Sequence, residues 1–248
     1  MSDRGVAVVT GGSSGIGRAC ALRLAQDGYA VVVAARRAER VQEVATECGG
    51  RAVTCDVADP VDVARLVEAA GADVALLVNN AGGALGFDLF EADDLSRWEQ
   101  MFAANVMGWA RVTQGLLPAL EAGDGGTIVS ISSTAGLLAY ERGAGYCAVK
   151  AAESMASDAL RLELCGRPVR VCDIAPGMVK SEEFSLTRMG GDAERAAAVY
   201  AGVAEPLTEQ DIAECVSWVA GLPRHVNIDK LTVRPVAQAS SYKVHRQG

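Results

Sequence analysis

Six short apolar runs, separated by longer amphipathic or polar stretches, leave this chain few ways to fold. The runs lie at residues 6–9, 30–34, 52–55, 74–78, 127–130 and 169–174 and are largely continuous rather than alternating. A strand that is apolar on successive residues is buried on both faces. Stretches 16–26, 40–47 and 61–70 repeat their apolar positions at helical spacing, giving each one face for a sheet and one for water. Strand–helix alternation of this kind predicts a doubly wound parallel sheet with helices on both faces. The 248 residues, half of them apolar, suffice for one such α/β domain with a sizeable core. Only 5% are aromatic, so Val, Leu, Ala and Ile must fill it.

Residues 98–121 and 145–165 predict two long helices, and Pro118 is expected to end or kink the first near its position. A helix at 208–221 and a last strand near 230–234 complete the pattern. Residues 182–205 are Ala-rich and charged, with Gly190-Gly191 near the middle. We expect a mobile helical lid hinged at those glycines; an ordinary surface excursion has the same composition. The tail, 238–248, is polar and without a core pattern, and is expected to dock on a neighbouring subunit.

A net charge of −8 makes nucleic acid and anionic membranes poor partners. No apolar run is long enough to cross a bilayer, and residues 1–4 do not begin a basic-then-apolar leader, so a cytoplasmic protein is expected. Seven cysteines, an odd number without a Cys-x-x-Cys pair, read as reduced and mostly buried, with a thiol nucleophile as the lesser alternative. The only histidines are His225 and His245, too few and too late in the chain for a histidine triad or a zinc site.

The first strand runs into Thr10-Gly11-Gly12-Ser13-Ser14-Gly15-Ile16-Gly17. Glycines between a strand and a helix allow a tight turn whose N–H groups, with the helix's positive end, receive a pyrophosphate. The second strand ends Ala34-Ala35-Arg36-Arg37. An NAD site places a carboxylate there for the ribose 2′-OH; two guanidiniums instead suit a 2′-phosphate, and NADP(H) is expected. The alternative is that both arginines only solvate a loop. Asp56 and Val57, closing the third strand, are candidates for the adenine side, Asp56 being equally acceptable as a plain loop acid.

Tyr146 and Lys150 stand at i and i+4, one turn apart on one face of a predicted helix. A nearby ammonium favours the phenolate, which makes the phenol's proton transferable nearer neutrality. Ser133 lies thirteen residues upstream and can fold back beside them; Ser132 competes for that place.

Together these residues resemble the short-chain dehydrogenase/reductase family over nearly the whole chain. The marks are Thr10-Gly-x-x-x-Gly15-x-Gly17, Asn79-Asn80-Ala81-Gly82 after the fourth strand, Asn105, Ser133, Tyr146-x-x-x-Lys150 and Pro176-Gly177. The resemblance implies a single Rossmann-type domain and a tetrad of Asn105, Ser133, Tyr146 and Lys150. Tyr146 would be the general acid in carbonyl reduction, Ser133 would hold the substrate oxygen, and Lys150 would lower the tyrosine pKa and bind the nicotinamide ribose. Asn105 would hold a proton-relay water; by itself it reads as a helix amide bonded to backbone. The glycine turn with Ser13, Ser14 and Ile16, then Arg36, Arg37, Asp56, Val57, Asn79, Ala81, Gly82, Pro176, Gly177, Val179 and Ser181, would line the cofactor. Ser181 takes a place where many members have threonine, followed by Glu182 and Glu183.

His225-Val226-Asn227-Ile228, Glu183-Phe184-Ser185 and Val244-His245-Arg246-Gln247 look like the bacterial NADP-dependent 3-hydroxy acid dehydrogenases, a subgroup that also handles malonic semialdehyde and serine. Arg188 would be a natural partner for a substrate carboxylate, or equally an exposed lid charge. Rival functions are a ketoreductase on acyl-carrier or secondary-metabolite substrates and a non-catalytic NADP(H) sensor. The family's long helices pair between subunits, so a homotetramer or dimer is expected; Gly108, Ala110, Ala151, Ala152 and Ala156 are small enough for close helix approach.

Overall fold

The computed structural model describes residues 4–181 and 183–247. The expectations for the first three residues, for Glu182 and for the terminal Gly248 lie outside the described residues. Seven strands are described: β1 (Val6–Thr10), β2 (Ala30–Ala35), β3 (Arg51–Thr54), β4 (Val74–Asn79), β5 (Gly126–Ile131), β6 (Val169–Pro176) and β7 (Lys230–Val233). They form one parallel sheet in the order β3-β2-β1-β4-β5-β6-β7. The order reverses between β1 and β4, which opens a crevice at the carboxyl ends of those strands.

Neighbouring residues of one strand feed opposite cores. Val9 and Val78 pack with Cys20, Leu24, Ile212 and Val216 of α1 (Gly15–Gln26) and α9 (Glu209–Gly221). Val8 and Leu77 pack with Leu66 and Leu116 of α3 (Pro60–Ala70) and α5 (Trp109–Glu121). Both faces of the sheet are therefore covered, and this is why its strands read as unbroken apolar runs. Helix α2 (Ala38–Cys48) ends on Gly49 at φ 64°, and α3 starts with Asp59 accepting from the Val61 N–H and proline at the first turn.

The helix expected at 98–121 departs from its pattern in two ways. It starts earlier, as α4 (Leu95–Phe102), and passes through a π-helical segment at Ala103–Gly108 before continuing as α5. It also runs past Pro118 to Glu121, because buried Leu116, Ala119 and Leu120 carry its last turn into the core despite the missing N–H. A Cβ on Gly108 would lie 2.5 Å from Val57 Cγ2, so that close approach is within the subunit.

Helix α6 (Ala144–Glu163) is the second long helix. The lid segment holds two short helices, α7 (Phe184–Arg188) and α8 (Ala193–Ala198), separated by Gly190 and Gly191 at φ 66° and 92°. The tail is bound along its own chain. Gln238 accepts from the Met178 N–H at 2.8 Å, the Gln247 N–H donates to Gly202 O at 2.7 Å, and Arg246 donates to the carbonyls of Val199 and Ala201. These bonds satisfy carbonyls just past α8, so the tail fastens the far end of the lid. The seven cysteines are free, and Cys20, Cys55, Cys147 and Cys172 are buried.

Candidate active site

Backbone proximity shapes the glycine turn. A Cβ on Gly17 would lie 2.3 Å from Gly11 O, and one on Gly12 would lie 2.5 Å from Val33 Cγ1. Only glycine lets α1 start this close to the strand end, and a helix N-terminus so placed favours an anion. Thr10 Oγ1 accepts from the N–H groups of Asn80 and Ala81 at 3.0 and 3.1 Å, and Asn80 Nδ2 donates to Thr10 O at 3.1 Å. Thr10 and Asn80 thus lash the turn to the end of β4. The Asn79 side chain is turned the other way, donating to Thr113 Oγ1 of α5 at 2.8 Å. Its part at the crevice is limited to backbone.

Arg37 reaches over the turn. Its guanidinium donates to both Glu183 oxygens at 2.9 and 2.8 Å and to Ser13 and Ser14 Oγ at 3.2 and 3.0 Å, while Ser14 Oγ donates to Glu183 Oε2 at 2.9 Å. A lid carboxylate therefore sits on the groups the sequence assigns to phosphate. Arg37's bond holds the Glu183 carboxyl below the usual range, assisted by Ser14. Arg36 is exposed beside it. Asp56 Oδ1 accepts from the Ala58 N–H at 3.0 Å, closing a local turn, and Val57 is buried against Gly108.

Tyr146 and Lys150 share the inward face of α6, both buried. Ser133 starts the short 3-10 turn Thr134–Gly136, and its Oγ accepts from the Ala135 N–H at 3.1 Å. That leaves the hydroxyl proton available to a substrate oxygen. A Cβ on Gly136 would lie 2.6 Å from Lys150 O, so this turn rests directly on α6. Ser132, the competing candidate, is buried and its hydroxyl donates to Ile174 O at 3.3 Å.

Asn105 lies in the π segment, 1% exposed. Its Nδ2 donates to Met101 O and Gly83 O at 2.8 and 3.1 Å, and its Oδ1 accepts from the Gly83 N–H at 3.1 Å. The side chain thus staples the π segment to the loop after β4, where a Cβ on Gly82 would lie 2.3 Å from Oδ1. Both amide donors are thus engaged, and the Oδ1 keeps one acceptor position.

Lys150 Nζ donates to Ile131 O at 3.0 Å and to Glu153 Oε2 at 2.7 Å. Burial lowers its proton affinity, but Glu153, the Tyr146 phenol and Asp173 outweigh burial and hold the ammonium above the usual lysine range. Burial pushes Glu153 up to about 7, against the pull of Lys150.

Helix α7 covers the other side. Arg188 lies 4.9 Å from the Phe87 ring centroid and 5.4 Å from those of Tyr140 and Tyr146, and Phe184 meets Tyr146 edge-on at 5.8 Å. Arg188 Nε donates to Gly86 O at 3.3 Å, but its Nη2 is buried without a hydrogen-bond partner among the described residues. Burial pushes Tyr140 up to about 12, with Arg188 pulling the other way. Beyond β6, the Gly177 N–H donates to Val233 O at 2.7 Å, Val179 O accepts from Tyr200 Oη at 2.7 Å, and Ser181 Oγ accepts from the Phe184 N–H at 3.2 Å. Ser181 therefore receives the first N–H of α7, and Gly177 and Val179 are braced by β7 and Tyr200.

Sequence reasoning missed Glu153, Tyr140, Gln238, Asn80's bracing role and the Glu183 contact. A readable signal existed for the first: a glutamate three residues after Lys150, on the face the helix buries.

The short chain dehydrogenase family pattern matches residues 5–189. The chain is 48% identical to an uncharacterized oxidoreductase of Mycobacterium tuberculosis over 95% of its own length and 93% of that protein's. It is 38% identical to an NADP-dependent 3-hydroxy acid dehydrogenase of Salmonella typhi (97% and 99% covered) and 39% identical to a sulfoacetaldehyde reductase of Chromohalobacter salexigens (99% and 100%). Its fold superposes on the closed form of serine dehydrogenase complexed with NADP+ at TM-score 0.91 and 37% identity, over 98% of this chain and all of that one. A pattern spanning most of the chain, and relatives this similar end to end, make it a member of the short chain dehydrogenase family.

Proposed function

We propose that this chain is an NADP(H)-dependent oxidoreductase that interconverts a small aldehyde or ketone and its alcohol, and that its substrate carries an anionic group, as a semialdehyde or 3-oxo acid does. The chain offers a dinucleotide what it needs: a turn into which no side chain could fit at Gly17, a helix N-terminus behind it, and Ser13, Ser14, Arg36 and Arg37 for phosphate. Bound there, the reduced cofactor supplies a hydride. The protein's part is to hold the carbonyl and deliver a proton. Ser133 donates to the carbonyl oxygen, and Tyr146 protonates it as charge develops. Lys150 keeps positive charge beside the phenol and the ribose side of the crevice. Asn105 fixes the π segment and would hold a water that relays protons toward solvent. In the reverse direction Tyr146 is the base.

Arg188 carries the choice of an anionic substrate. A guanidinium over the Tyr146 ring, with one buried N–H direction unused, is matched by a carboxylate or sulfonate attached a carbon or two from the reacting carbonyl. The test compares Arg188→Ala with the parent on a semialdehyde and on a neutral aldehyde of similar size. Loss of a charged hydrogen bond of about 2 kcal/mol should raise KM for the anion about thirtyfold and barely alter it for the neutral compound. Equal effects on both would remove the anionic assignment. Cofactor binding without oxidation across a broad panel favours the sensor, and turnover confined to carrier-bound acyl chains favours the ketoreductase.

The same helices support a homo-oligomer. Phe102, Met107, Met155 and Leu162 of the α4–α5 rod and α6 are exposed, and Trp98, Phe102, Met107 and Val149 line an apolar groove of about 430 Å³. Mass in solution decides between dimer and tetramer. Among the described residues no helix is long and apolar enough to cross a membrane.

A further inference from the structure

Glu153 is a carboxylate in a place that packing would fill better with leucine. It follows Lys150 by three residues on α6 and is 3% exposed. An ionised carboxylate this deep costs several kcal/mol unless paired, and its partner is the tetrad lysine, 2.7 Å away. The ammonium's other bond, to Ile131 O, comes from the end of β5. Two acceptors on different elements fix the end of a side chain that otherwise rotates about four bonds.

The pair does not stand alone. Asp173 of β6 is buried and accepts from Ser154 Oγ at 2.5 Å, and its Oδ1 has no hydrogen-bond partner among the described residues. Lys230 Nζ of β7 lies 3.6 Å from Asp173, 2.9 Å from Ser154 Oγ and 3.1 Å from Asp158. The charged groups facing Glu153 are therefore Lys150 on α6 and Asp173 on β6, with Tyr146 on the far side of Lys150 and with Lys230 of β7 and Asp158 of α6 behind Asp173. Asp173 repels the Glu153 carboxylate, and Lys150 attracts it.

We propose that Glu153 is a positioning residue for proton transfer: its carboxylate holds the Lys150 ammonium charged and fixed beside Tyr146, and protonation of Glu153 loosens that hold. This rests on Lys150 belonging to the tetrad. Burial sets Glu153 to exchange its proton at about 7, so the brace tightens as the pH rises through neutrality.

The experiment uses Glu153→Gln, Glu153→Leu and Lys150→Met in the full chain. The parent should show kcat/KM rising with an ionisation near pH 7. Glu153→Gln keeps an acceptor for Nζ but no charge; it should remove that ionisation and lower kcat about tenfold, with KM for NADPH within about threefold. Glu153→Leu should lower kcat further. A parent-like pH profile and kcat in Glu153→Gln would overturn the proposal. Lys150→Met separates the two readings: if it keeps turnover, the tetrad assignment fails; if it is inactive while Glu153→Gln matches the parent, only the role of Glu153 fails. A readout independent of turnover is carboxyl 13C titration of the cofactor-free protein. One carboxyl titrating near pH 7 in the parent and missing in Glu153→Gln supports the brace. Should the variants fail to fold, the parent decides alone: no carboxyl above the ordinary range of about 4 to 5 overturns it.

Discussion

Glu183→Gln tests whether the lid competes with the cofactor for Arg37. The carboxylate accepts two bonds from the Arg37 guanidinium and one from Ser14 Oγ. With the pair 46% and 30% exposed, its coupling contributes only about 0.5 kcal/mol. The hydroxyl bond to a charged acceptor adds about 1 kcal/mol before solvent screening. A 2′-phosphate that claims Arg37 must displace contacts of this total, about 1 to 1.5 kcal/mol. Removing the charge should therefore tighten NADPH binding by roughly fivefold to twelvefold. NADH, without that phosphate, should gain less. The assay is fluorescence titration of both cofactors, with Arg37→Ala as control; that variant should weaken NADPH and spare NADH. The pH dependence has a definite sign. Glu183's folded pKa is depressed, first by the Arg37 bond, so the lid contact is complete above the ordinary carboxylate range and is lost as pH falls through the folded value. The difference between parent and variant should be flat across neutral pH and shrink only in acid. Weaker NADPH binding in Glu183→Gln would refute the competition and make Glu183 a clamp on bound cofactor.

Two further outcomes follow from close contacts. Gly82→Ala puts a Cβ 2.3 Å from Asn105 Oδ1 at φ 152°, and should cost about 2 to 3 kcal/mol and lower Tm by roughly 5 to 10 °C; Gly83→Ala, which meets open space, should leave Tm unchanged in the same melt. Deleting the residues from Arg246 onward frees the carbonyls of Val199, Ala201 and Gly202; trypsin should then cut the lid at Arg188 or Arg195 about fivefold faster or more, while mass in solution is unchanged. A change of mass would place the tail at a subunit interface.

The parts legible in the sequence are those whose cause is local. Unbroken Val and Leu runs betray strands covered on both faces, and the glycines of Thr10 to Gly17 betray a tight turn between a strand and a helix. Tyr146 and Lys150 are legible because i and i+4 on a helix are adjacent by construction. Pro118 misled because tertiary packing of Leu116, Ala119 and Leu120 outweighs one lost N–H bond. The π segment at Asn105 could not be read, since the amide it carries bonds to Gly83, twenty-two residues away in sequence.

Charge partners are the least legible, and the reason is general. A carboxylate's role depends on what lies within about 4 Å of it, and in a doubly wound sheet those neighbours come from distant segments. Glu183 and Arg37 are 146 residues apart, and in the sequence each reads as a solvated surface charge. Glu153 is the informative exception. Its partner is local, and its burial follows from the same helical phase that buries Lys150, so the pair could have been inferred from periodicity. The consequence is a rule that can fail. In a chain of this fold, an acidic residue three positions after the lysine should be buried and should bring a pH step near neutrality, whereas an apolar residue there should not. Placing valine at 153 and finding the same step in kcat/KM would show that the step belongs to another group.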